Sequence, residues 1–249
     1  MSLWRLEWLR LVRTHRLLVL VGTYLFFGFT GPLTARYLSQ ILGRLGTEGV
    51  TVEFPVPVPA DGIAQFVGNA SQIGLLVVVL VAASALAFDA RREMAVFLRT
   101  RVHGVRAIVI PAYVMTVVGA VAGLVAGSLA AWYETTVLLG GLPAIATLTG
   151  VALGALFLAF AVAVTAAVAS VMRGVAATAG VALAGLLGLA VLGGLTPLGR
   201  WLPTHLAGAM TELVRGAPAA DFGPATLTSL VGTAAALTAA VVLGARREV

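Results

Sequence analysis

The chain has 249 residues, of which 60% are hydrophobic and only 10% charged, whereas a soluble domain carries about a quarter charged residues. The 16 basic and 10 acidic side chains are too few to cover a water-facing surface, which excludes soluble folds and makes this a membrane composition. All 16 basic residues are arginine and no cysteine is present, which removes a Walker A nucleotide loop, lysine Schiff-base and general-base chemistry, disulfides, thiolate zinc sites and thiol nucleophiles.

Residues 2–16 form the first predicted element, an interfacial helix with Ser2 available as N-cap and Trp4, Trp8, Leu11 and Val12 on one face. Leu6 and Leu9 fall toward the arginine side, which suits a helix also packed against protein. A plain basic flank that only enforces orientation accounts for the same residues equally well.

A bilayer-crossing helix needs about 20 mainly apolar residues, and six such stretches follow: about 17–37, 64–88, 108–133, 144–172, 175–195 and 225–243. Only Arg173 and Gly174 separate the fourth from the fifth. A single helix through both would be about twice the length a bilayer requires, so a tight turn is expected there. The first stretch is of span length and lacks an obvious small-residue cleavage site, so it reads as an anchor.

Arginine placement sets the orientation. With the N-terminus inside, Arg5, Arg10, Arg13, Arg16, Arg91, Arg92, Arg99, Arg101, Arg106, Arg173, Arg246 and Arg247 share the inner side, and only Arg36, Arg44, Arg200 and Arg215 fall outside. After the acidic residues are subtracted, the inner side is strongly positive and the outer side slightly negative. The formal charge of +6 therefore records membrane orientation, with both termini cytoplasmic.

Between spans, residues 43–62 alternate proline with valine around Glu53-Phe-Pro-Val-Pro-Val-Pro-Ala60 and read as a short outer loop or extended cover. Asn69-Ala-Ser71 matches the N-glycosylation pattern at a membrane edge, a match expected by chance. In the inner segment 89–106, Met94, Phe97, Leu98 and Val102 share one helical face while Arg92 and Arg99 point away, and Gly104 ends the helix. Such a helix either floats on lipid or inserts into a groove on a soluble partner. In the outer segment 196–224, Thr204 is the expected cap of a short helix carrying Leu206, Met210, Leu213 and Val214, with Gly216 and Pro218 as stops. Its length suits the outer surface or a dip into the outer leaflet, as a re-entrant or lid element.

None of the six stretches has a charge in its central part, and His15, His103 and His205 all lie in loops. That argues against an intramembrane enzyme and against a proton-coupled carrier. Ser84 and Ser170 read as bonding back to their own helix, and Thr23, Thr30, Thr116, Thr147, Thr149, Thr165 and Thr178 supply only weak polarity. Gly119, Gly123 and Gly127, and Gly150 with Gly154, recur at every fourth position and permit close helix packing within the bundle. A pathway so lined suits amphiphilic or hydrophobic cargo better than bare ions. External Glu53, Asp61, Glu212 and Asp221 read as solvated surface charge.

The whole arrangement resembles the membrane subunit of type-2 ABC exporters, six-span permeases made separately from their ATPase. The resemblance rests on the entry Ser2-Leu-Trp-Arg-Leu-Glu-Trp-Leu-Arg10, on Asp89-Ala-Arg-Arg-Glu-Met-Ala-Val-Phe-Leu-Arg-Thr-Arg101 after the second span, on Arg200-Trp-Leu-Pro-Thr-His205, and on Gly244-Ala-Arg-Arg-Glu248. It implies an all-α polytopic fold with an elbow helix at 2–16. It also implies a coupling helix at 89–106 that docks on the ATPase through Arg92, Glu93, Met94, Phe97, Leu98 and Arg101, tipping the choice toward the groove. Two permease copies, identical or related, would face each other and enclose a path between their first, second and fifth spans. ATP and Mg would be bound by the two soluble ATPase subunits, and this chain would itself be no enzyme. A drug or lipid moving out across a bacterial inner membrane is the expected cargo, and arginine without lysine suits a GC-rich bacterial genome. The alternative is a non-transporting membrane scaffold or assembly subunit.

Overall fold

A computed structural model describes residues 3–45, 56–87 and 104–246, with residues 39–45 as backbone only. Every regular element among the described residues is helical. In chain order they are α1 (Leu3–Arg13), α2 (Arg16–Leu45), α3 (Pro59–Asn69), a π-helical turn (Ala70–Gly74), α4 (Leu75–Leu86), α5 (Arg106–Leu138), α6 (Ala144–Ala169), α7 (Val175–Leu195), α8 (Ala209–Val214) and α9 (Gly223–Arg246). Short 3-10 turns, Pro197–Trp201, Pro203–Gly208 and Ala219–Phe222, surround α8.

Among the described residues, six helical units are long and apolar enough to cross a bilayer, the α3–π–α4 unit counting as one, so the chain is a multi-pass membrane protein. Its exposed tryptophans and tyrosines lie in two groups. Trp4 and Trp8 sit near the Arg16 end of the bundle, and Tyr37, Tyr133 and Trp201 sit near the opposite end. Arg16 and Tyr37 are 21 residues apart along one helix, or about 30 Å at 1.5 Å per residue, the thickness of a hydrocarbon core.

Punctuation in the sequence sets the helix ends. Pro59 stands at the start of α3, where its missing N–H costs nothing, and the Asp61 carboxylate accepts the Val58 backbone N–H at 3.0 Å. The second span therefore begins about a turn earlier than its hydropathy predicts, and Pro59 and Ala60 belong to the helix rather than to the preceding loop. Gly174 has φ +91, a conformation that favours glycine and separates α6 from α7. α6 stops at Ala169, three residues short of the predicted span end. The α1–α2 break falls at His15, which has φ +60 without being glycine.

Close packing runs along α5. A Cβ on Gly119 would stand 3.0 Å from a Leu11 methyl, one on Gly123 3.0 Å from the Leu20 carbonyl oxygen, and one on Gly127 2.5 Å from the Tyr24 carbonyl oxygen. The small residues thus let α2 lie against α5 inside one chain. The core around this seam holds Leu20, Tyr24, Phe66, Val78 and Ala120, all essentially inaccessible. On the other side α6 packs against α5, α4, α7 and α9.

Candidate functional site

The six residues predicted to contact an ATPase, Arg92, Glu93, Met94, Phe97, Leu98 and Arg101, lie outside the described residues, as does most of the 89–106 segment. Its neighbours are in view. α1 packs on α5 and α2, burying Leu11 and Glu7, while Trp4, Trp8 and Val12 remain about half exposed. The helix thus sorts its predicted apolar face: only Leu11 seats against protein. Glu7 accepts a hydrogen bond from the Arg10 guanidinium at 2.7 Å, an ion pair one helical turn apart. Arg16 donates at 3.0 Å to the Ser84 carbonyl oxygen near the end of α4, where a cation complements the orphan carbonyls of a helix terminus. Between α1 and the start of α5 lies an open groove of about 480 Å³ lined by Leu3, Trp4, Arg106, Ala107, Ile110 and Pro111.

At the opposite end, the segment after α7 folds onto the bundle. Leu206, Ala209, Met210 and Leu213 are buried, and a Cβ on Gly150 of α6 would meet the Met210 Cβ at 2.6 Å. Gly150 therefore receives α8 rather than another span. His205 stacks on Phe222 with ring centroids 4.9 Å apart, and Thr228 of α9 donates to the Trp201 carbonyl. Arg215 approaches Asp61 at 3.5 Å, tying this cap to the start of α3. The 3-10 turn at Pro203 begins from Leu202 without a side-chain cap, so Thr204 does not serve the capping role its sequence position suggests.

Ser84 and Ser170 each donate to a carbonyl three residues back, and Thr30, Thr116, Thr165 and Thr178 to one four residues back. Those hydroxyls are consumed within their own helices.

Buried hydroxyls without a hydrogen-bond partner remain at Ser128, Thr135, Thr211, Ser229 and Thr233, and beside them stand amides, which the sequence reading passed over except for Asn69. Three of the chain's four Asn and Gln residues, Gln65, Asn69 and Gln72, fall within eight residues of the second span. Gln65 and Asn69 are one helical turn apart on α3, and Gln72 stands in the π-helical turn. Gln65 and Asn69 are half-buried and Gln72 is exposed. The exposure continues along α4 at Leu76, Leu80 and Ser84, every fourth residue. No amide side chain of this set makes a hydrogen bond within the described residues. Clustering of Gln, Asn and Gln beside Gly68 was the available signal.

The π turn packs closely on the first span. Its Gly74 lies against the Tyr24 ring, where a Cβ would come within 3.0 Å of Cζ. Ser71, on the turn, joins Tyr24, Gly154, Phe157 and Met210 around a partly open pocket of about 30 Å³, room for one or two waters. π turns inside α-helices are frequent at functional positions. Both α2 and α7 pack on α4, and its Leu76, Leu80 and Ser84 line stays exposed. Among the described residues no three His, Asp or Glu side chains come together.

No family model, no curated protein and no solved structure matches this chain.

Proposed function

We propose that this chain is the permease subunit of an ATP-driven exporter that moves an amphiphilic or hydrophobic substrate, drug-like or lipid-like, outward across a bacterial inner membrane. The observation that carries the reading is the pair of α1 and the segment after α4. A separate basic helix turns through His15 into the first span, and Arg16 joins that turn to the end of α4, where the arginine-rich 89–106 segment begins. This element order resembles the elbow-then-coupling-segment arrangement of type-2 ABC exporters, which supports the reading.

Energy comes from outside the chain. It has no lysine for a nucleotide loop and no charged residue in the middle of a span, so ATP and Mg belong to a soluble ATPase present in two copies. Phe97, Leu98 and Met94 supply the apolar contact with that ATPase, and Arg92, Glu93 and Arg101 its charged rim. Arginine bias puts this end, and both termini, in the cytoplasm. The substrate path is placed between two permease copies, as the resemblance to type-2 ABC exporters implies.

The test is purification of the tagged chain from its native membrane. Recovery of a soluble subunit with a Walker A motif, in equal copy number and with ATPase activity that rises on assembly, supports the reading. A chain that purifies with no nucleotide-hydrolysing partner, while fully folded, removes it in favour of a membrane scaffold.

A further inference from the structure

We propose that the Gln65, Asn69 and Gln72 face of the second span is where a second copy of this chain docks, with carboxamides hydrogen-bonding across a two-fold axis. The inference rests on the reading of a paired permease and names the contact that pairs it.

Depth sets the first constraint. The second span runs from Pro59 to Leu86, and Gln72 is at its midpoint, about 20 Å from either end at 1.5 Å per residue. Lipid headgroups lie at the surfaces of a hydrocarbon layer about 30 Å thick. They are out of reach of Gln72, and acyl chains offer no hydrogen bond. A carboxamide left in hydrocarbon without a partner is costly, and Asn and Gln in membranes find partners on neighbouring helices. The chain's own helices do not provide one among the described residues.

Chemistry selects the partner. A carboxamide carries two N–H donors and an acceptor oxygen, so like pairs with like. A two-fold interface brings the same patch of both subunits together and therefore demands self-complementary groups. A stripe of amides meets that demand, whereas a stripe of arginines or carboxylates would repel its own copy. Below the amides, Leu76 and Leu80 on the same exposed line extend the contact with apolar packing. On α9 the exposed Leu227, Leu230 and Val231 form an apolar patch that suits lipid.

The chain has no cysteine, so a single introduced thiol reports its own neighbours. Leu76→Cys leaves all three amides in place, with Leu230→Cys as the lipid-facing control. Both full-length chains are reconstituted in phosphatidylethanolamine–phosphatidylglycerol vesicles and oxidised with copper phenanthroline. Leu76→Cys should give a disulfide-linked dimer at least tenfold faster than Leu230→Cys. Dimerisation of donor- and acceptor-labelled chains in the same vesicles should weaken about tenfold in Asn69→Leu/Gln72→Leu, the loss of two interhelical hydrogen bonds. Equal crosslinking of the two thiols, or an unchanged dimerisation constant in the double variant with native helicity, overturns the proposal. The assay contains no ATPase, so the two readings fail separately. A dimer through Leu76 in a chain that never recruits an ATPase keeps this interface and sinks export. A nucleotide-driven complex without a Leu76 crosslink does the reverse.

Discussion

Gly127 of α5 and Tyr24 of α2 touch backbone to backbone: a Cβ on the glycine would stand 2.5 Å from the Tyr24 carbonyl oxygen and 2.9 Å from its Cβ. Gly28, one turn along α2, is turned in the same way toward Gly127 and Ala130. Neither backbone can yield without moving a whole helix. Gly127→Ala should therefore destabilise the protein by about 1–3 kcal/mol, the usual cost of overpacking. Gly180→Ala on α7, where a Cβ meets nothing within 4 Å, should be neutral or stabilising by up to about 1 kcal/mol. Denaturation by sodium dodecyl sulfate in mixed micelles, followed by circular dichroism, measures both.

The cap formed by α8 gives a second expectation. Gly150 and Met210 are in close contact, so Gly150→Ala should lift the 203–214 segment from α6 while leaving the spans intact. Hydrogen exchange should show faster exchange in 203–214 and unchanged protection in α5. Uniform protection across the chain would mean that the segment accommodates the methyl by repacking.

At the α6–α7 turn, Gly174 holds φ +91. Gly174→Ala forces a Cβ into a backbone conformation with φ +91 and ψ 156, essentially restricted to glycine, at about 1–3 kcal/mol. A matching fall in stability is the expected readout, and no change would show that this turn can switch to a right-handed conformation.

Much of the bundle was legible because hydrocarbon imposes one rule, that a crossing helix be long and apolar, and that rule leaves its mark residue by residue. The break at Arg173-Gly174 followed from length alone. Other features depend on tertiary contacts that local pattern does not carry. The every-fourth glycines announced close packing but not their partners, which are Tyr24 for Gly127 and Met210 for Gly150. Thr204 had the composition of a cap, yet Pro203 begins a 3-10 turn from Leu202 and leaves it no such role. The amides of span two were hidden by the opposite fault. A search for charges and histidines skips uncharged donors, so Asn69 registered only as part of a glycosylation pattern. Trp4 and Trp8 shared a predicted face with Leu11, but only Leu11 finds a protein surface.

On the proposed reading, this bundle takes its work from a soluble ATPase through the segment after α4. The most direct measurement is the ATP hydrolysis rate of the reconstituted complex carrying Phe97→Asp/Leu98→Asp, beside substrate efflux from the same vesicles. Both charges should dissolve the contact, so that the variant inserts normally, loses efflux at least a hundredfold and no longer retains the ATPase. Undiminished efflux with the ATPase still bound would contradict the claim.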